Sequence, residues 1–271
     1  MRTRLLLLCA ALFPALAPAG PYAPAADEPG STAVAYDSAS IVGWASGSQN
    51  LVRGPVNISN PGLGYANYGS DTDALGASDA AQNNSLPVVS LGDGGRITLT
   101  FARPIANGPG ADFAVFENGI NDNFLELAFV DVSSDGTNFT RFRAVSLTQK
   151  TTQVGPFDQT LDATDLYNLA GKYRVGFGSP FDLAELAGTP GLDINNVTHI
   201  RIQDVVGSIN PLYGTVDSLG NLINDPWPTN FGTGGFDLDA VGVMNFAPLP
   251  EPSALLLLVT AALGLTLRRR R

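Results

Sequence analysis

Leu125-Glu126-Leu127-Ala128-Phe129-Val130-Asp131-Val132-Ser133-Ser134-Asp135-Gly136-Thr137-Asn138-Phe139 is the stretch on which the fold turns. Up to Val132 it is apolar at both parities. Successive side chains of a strand point to opposite faces, so such a run suits a central strand of a sandwich, covered on both sides. Ser134-Asp135-Gly136-Thr137 then supplies turn chemistry, and residues 139–145 return as a hairpin partner.

The flanking segments have the same texture. Residues 96–101 alternate, with Ile97, Leu99 and Phe101 on one face and Arg96, Thr98 and Thr100 on the other. Residues 113–116 form a short buried run, and residues 197–206 and 238–246 read as two more strands. Between them lie Gly, Pro, Asn, Asp, Ser and Thr. Many short strands with regular turn signals predict an all-β fold, a jelly-roll-like β-sandwich with long loops. Helix is scarce, with short amphipathic turns expected at 163–170 and 181–186. Residues 30–87 are the least patterned and should hold edge strands at 32–36 and 41–44.

The ends follow a different logic. Residues 1–19 combine Arg2 and Arg4, a short apolar centre and the exit Ala17-Pro18-Ala19, which is the build of a secretory signal peptide. Cleavage is expected near Ala19/Gly20, with Ala25/Ala26 as the alternative. Cys9 lacks the small residues that precede a lipidated cysteine, and its removal with the signal leaves no cysteine. Stability must then come from a core, a metal or both. At the other end, Pro250-Glu251-Pro252 precedes an apolar block at 253–267 and the cluster Arg268, Arg269, Arg270 and Arg271. The apolar block is shorter than the roughly 20 residues of a comfortable membrane helix. It can insert transiently, with the arginines held on the cytoplasmic side. Three parts result: a signal peptide at 1–19, a β-sandwich at 20–247 and a sorting signal at 248–271.

Of 15 Lys and Arg, six lie in these terminal signals; of 25 Asp and Glu, only Glu251 does. The middle therefore keeps 9 basic and 24 acidic residues, about −15. That balance excludes nucleic acid as a partner and suits calcium, cationic partners or neutral sugars.

The order Pro250-Glu251-Pro252, apolar segment, arginine cluster resembles the PEP-CTERM sorting signal. The resemblance implies recognition by an exosortase-type membrane protease, transient inner-membrane anchoring, and delivery to the envelope or extracellular matrix of a Gram-negative bacterium. The run 126–139 resembles the hairpin of discoidin-type and other galactose-binding-like jelly rolls. Residues 235–243, Gly-Phe-Asp-Leu-Asp-Ala-Val-Gly-Val, are similar to the last strand of jelly-roll carbohydrate-binding modules, where an aspartate often ligates structural calcium. Together with Asp112-Phe113-Ala114-Val115-Phe116-Glu117-Asn118, the pattern also resembles bacterial cell-surface proteins of unknown chemistry.

Calcium takes six to eight oxygens from carboxylates, amides and carbonyls. The candidate ligands are Asp239, Asp237, Glu117, Asp112 and Asp204, with Asn118, Asp122 and Asp225 beside them. Asp237 and Asp239 are two apart and should share a strand face. Trp227, Tyr213 and Trp44 fall in loop-like stretches and are the candidate platforms for a polysaccharide, although Trp227 between Pro226 and Pro228 also suits a loop pinned to the core. Catalysis has little support. His199 lies in a strand pattern, no Gly-x-Ser-x-Gly elbow exists, and Glu117 with Glu126 is one pairing among many carboxylates. The expected function is that of an exported, non-catalytic surface or matrix protein that binds calcium and a polysaccharide or a neighbouring surface protein. A purely structural matrix protein and a secreted glycoside-active hydrolase are the alternatives.

Overall fold

A computed structural model of the chain describes residues 20–83 and 87–249. The expected signal peptide and the sorting residues Pro250, Glu251, Pro252 and Arg268–Arg271 lie outside the described residues.

The protein is all-β. Its strands are β1 (Val34–Ala35), β2 (Gly43–Trp44), β3 (Gly47–Val52), β4 (Val89–Ser90), β5 (Arg96–Ile105), β6 (Phe113–Glu117), β7 (Ala128–Ser133), β8 (Thr140–Arg141), β9 (Val145–Ser146), β10 (Leu166–Tyr167), β11 (Phe177–Phe181), β12 (Val197–Asp204) and β13 (Asp237–Val243). Five form a sheet in the order β3-β5-β12-β7-β8. Six form another, β1-β11-β6-β13-β2, with β4 also paired to β13. β9 and β10 make a separate ribbon, and all these pairings are antiparallel.

The two large sheets meet in one core. Ile97, Leu99, Val130, Val132, Ile200 and Ile202 come from the first; Phe113, Val115, Phe181, Leu238, Val241 and Val243 come from the second. Phe113 stacks on Phe181 at 5.3 Å, and Phe142 meets Phe113 edge-on at 5.9 Å. Each such buried side chain contributes about 1.5–3 kcal/mol relative to exposure.

The double-sided hydrophobicity of residues 125–132 now has its cause. Ala128, Val130 and Val132 face the main core. Leu125, Leu127 and Phe129, of the other parity, build a second cluster with Leu166 of β10 and with Val154, Leu161, Leu169 and Ile223 from the loops. The turn after β7 is held by Asp135. Its Oδ1 accepts the backbone N–H groups of Thr137 and Asn138, both at 2.8 Å, and Gly136 adopts φ +74° beside the His199 ring.

Two expectations change on folding, and one strand appears that the sequence pattern did not predict. The return strand after this turn is shorter than 139–145, because Phe142 turns into the main core and Val145 leaves to pair with β10. The helical pattern at 163–170 forms only a 3₁₀ turn at Ala163–Asp165 before becoming β10. Strand β11 (Phe-Gly-Ser-Pro-Phe) has little local strand propensity. It is fixed by packing, since a Cβ on Gly178 would sit 2.8 Å from the Phe116 ring.

Candidate carboxylate chamber

Strand ends concentrate acid at one edge of the sandwich. β6 ends on Glu117, β12 ends on Asp204, β13 begins on Asp237, and Glu126 lies two residues before β7. Asp93 and Asp225 join them from loops. All six are buried, between 1% and 7% exposed. Burying a carboxylate is costly unless hydrogen bonds or a cation stabilise its charge, so the decisive question is what each oxygen meets.

Several of these groups are staples. Asp204 accepts Gly94 N–H at 2.8 Å and Phe236 N–H at 2.7 Å, one on each oxygen, tying the end of β12 to two loops. Asp93 accepts Ile58 N–H and the Trp227 indole N–H at 2.7 and 2.9 Å on the same oxygen. Asp225 accepts Leu127 N–H at 2.9 Å. Asp112 stands at the opposite end of β6 from Glu117, so the fold does not bring it to this group. It accepts N–H bonds from Gly108, Asn245 and Leu183.

Asp237 and Asp239 part company because of a β-bulge. The pairing of β13 with β6 shifts between Leu238 and Ala240. Asp239 accepts the Ser78 hydroxyl at 2.6 Å and Asp79 N–H at 3.3 Å. Asp237 lies opposite Ser90 of β4, whose hydroxyl helps to offset its charge, and receives Asn118 Nδ2 at 3.2 Å on Oδ2.

Two carboxylates are thus half-satisfied. Glu117 Oε2 accepts Gly119 N–H at 2.6 Å, but Glu117 Oε1 and Asp237 Oδ1 are buried with no hydrogen-bond partner. Burial raises the Glu117 carboxyl well above its usual range, and the charge of Asp237 adds to this. Burial likewise lifts Asp237 to about 7 and Asp239 to about 6. Glu126 is raised well above the ordinary value by burial, then by Asp237 and Glu117. Burial raises the hydrogen-bonded Asp204, Asp225 and Asp93 as well, so the shifts report the cost of burying charge, and the hydrogen bonds separate the roles.

Asp237, Glu126 and Asn118 line a cavity of about 310 Å³. Its other walls are mostly apolar, with Ile120, Phe124, Phe157 and Phe231 beside the polar Gln159 and Thr233. The Phe157 and Phe231 rings stack 5.7 Å apart with an interplanar angle of 16°. The oxygen donors suit a hard cation such as calcium, and Glu117 and Asp237 are the residues that would hold it. No group of three or more His, Cys, Asp and Glu side chains among the described residues is gathered as a metal cage.

The expected aromatic platforms lie elsewhere. Trp44 packs on Phe116 at 5.5 Å on the outer face of the six-stranded sheet. Tyr213 stacks on Trp227 at 6.4 Å, and Trp227 is pinned through Asp93. His199 is partly buried with Nδ1 2.7 Å from the Thr198 hydroxyl. Phe157 and Phe231 were not singled out from sequence. They belong to separate loops, and no periodicity joins them. No protein-family model matches the chain, and a search of curated proteins finds no match.

Proposed function

We propose that the protein is an exported, non-catalytic surface or matrix component whose jelly-roll-like sandwich uses the carboxylate chamber to bind a polysaccharide together with positive charge. The observation that carries this reading is the pair of buried carboxylates, Asp237 and Glu126, that line an open, phenyl-rimmed cavity. A buried acceptor without a partner costs about 1–3 kcal/mol, more when charged. Asp237 Oδ1 is such an acceptor, and its residue lines the cavity, which suits a ligand that completes it. Calcium is the simplest cation for the seat, with Asp237 and Glu117 as its carboxylate ligands.

Export rests on the terminal segments. The signal-like residues 1–19 and the PEP-CTERM-like order of Pro250-Glu251-Pro252, apolar block and arginines support secretion, processing by an exosortase-type protease and release to the Gram-negative envelope or matrix. An enzyme finds less support, because His199 sits against a turn glycine and a threonine.

The test is a glycan array probed with the purified protein in calcium and in chelator, alongside thermal unfolding. Binding of a polysaccharide, with a calcium-dependent rise in melting temperature, supports both parts, since a ligand specific for the folded state stabilises it by mass action. A blank array in both buffers removes the polysaccharide. Identical melting in calcium and chelator removes the metal.

A further inference from the structure

The chamber has two halves, and neither a lone ion nor a neutral sugar answers both. Its floor carries the buried carboxylates of Asp237 and Glu126, with Asn118 beside them. Arg53, whose charge acts on Asp237, directs its N–H groups to the carbonyls of Tyr68, Gly69 and Ser90. Its rim is apolar and open: Phe157 is 75% and Ile120 66% exposed, and Phe157 lies against Phe231. A metal ion would occupy the floor and leave about 310 Å³ of apolar-walled space unused. A neutral sugar would stack on the phenyl rings but leave the floor's charge uncompensated.

We propose that the chamber binds a saccharide unit carrying a protonated amine, its ammonium seated between Asp237 and Glu126 and its ring packed against Phe231 and Phe157. An ammonium has three donors and no acceptor, which matches the Asp237 and Glu126 carboxylates with the Asn118 side chain beside them. Charge-assisted hydrogen bonds are the strong kind, and phenyl faces at the rim add attraction for the same cation. The volume lies at the low end of the roughly 300–1,000 Å³ typical of ligand pockets, so the site takes one sugar residue, not a long segment. Calcium and the amine share one seat and exclude each other. The proposal rests on the reading that the protein binds polysaccharide, and it names the class.

The experiment is calorimetric titration of the purified exported protein with a glucosamine oligosaccharide and with its N-acetylated counterpart, which keeps the ring and loses the charge. The amine form should bind more tightly by about tenfold or more, since one hydrogen bond to a charged group is worth about that much. Calcium should weaken it, and Asp237→Asn should abolish the preference. Phe231→Ala, which alters only a loop side chain at the rim, should weaken both sugars. Equal affinity for the two sugars would overturn the amine while leaving polysaccharide binding intact. No binding of either would also overturn it, and the glycan array then decides separately whether any polysaccharide is bound. Retention of the preference in Asp237→Asn would overturn the placement.

Discussion

Two buried acidic sites on the two sheets have opposite fates. On the five-stranded sheet, Asp131 is 1% exposed and lies across from Arg201 on β12 and Arg141 on β8. Arg141 Nε reaches its Oδ1 at 2.6 Å, and Arg201 Nη2 reaches its Oδ2 at 2.7 Å. The guanidinium groups lie over Phe129 and Phe139 at 4.2 and 4.1 Å. On the six-stranded sheet, Glu117 and Asp237 are 1% and 5% exposed, and no salt bridge reaches either among the described residues. Burial alone does not assign a role to a carboxylate. Asp131 is structural because its cations are built into neighbouring strands, whereas Glu117 and Asp237 keep an oxygen free.

The contrast predicts substitutions of opposite sign. The largest effect is expected from Asp131→Asn, which takes the charge from between two arginines. It should destabilise the fold by about 2 kcal/mol, less than for a fully buried pair because both arginines reach water. Urea denaturation measures this, and an unchanged midpoint would show that the triad adds nothing. Asp237→Asn should act the other way. It removes a charge that repels Glu117 and Glu126 while keeping an oxygen for Asn118, and should stabilise the ligand-free protein by about 1 kcal/mol. Destabilisation by a similar amount would mean that Asp237 is held by partners and is not waiting for one.

The same contrast extends to pH dependence. Asp237 has an unfolded value of 3.8 and a folded value of about 7. Between those limits the folded state holds the proton that the unfolded state has lost. Its contribution is complete below about pH 4 and lost as pH rises through about 7. Asp239, raised to about 6, acts with the same sign. The melting temperature in chelator should therefore fall from pH 5 to pH 8. Asp237→Asn should flatten the upper part of that fall. A bound cation should flatten it too, by favouring the ionised form. A melting temperature that rises over this range would contradict the picture of an uncompensated floor.

Much of the strand pattern was legible. Residues 96–101, 113–116 and 197–206 each lie in or overlap a strand, because burial on one or both faces imposes a period of two on the side chains. Residues 163–170 misled, since local amphipathicity there was overridden by Leu166 packing into the second cluster and pairing with β9. β3 and β11 gave no signal, as Gly, Ser, Asn and Pro are strand residues only when neighbouring strands make them so. In the chamber, Glu117 and Asp237 could be named as candidates from chemistry alone. Glu126 was visible only as one carboxylate among many.

The amino-acid order alone determined the all-β character, the strongly acidic middle and the contrast between that middle and the terminal segments. Those properties depend on composition and on periodicities within a few residues. Only tertiary structure decided which carboxylates are staples and which are free. Gly94 and Asp204 are 110 residues apart, Ser78 and Asp239 161, and Asn118 and Asp237 119. A hydrogen bond acts over about 3 Å of space, and the fold sets which distant segments meet at that range. The bulge at Asp239, which sends two aspartates of one strand to different partners, likewise arises from how β13 pairs with β6.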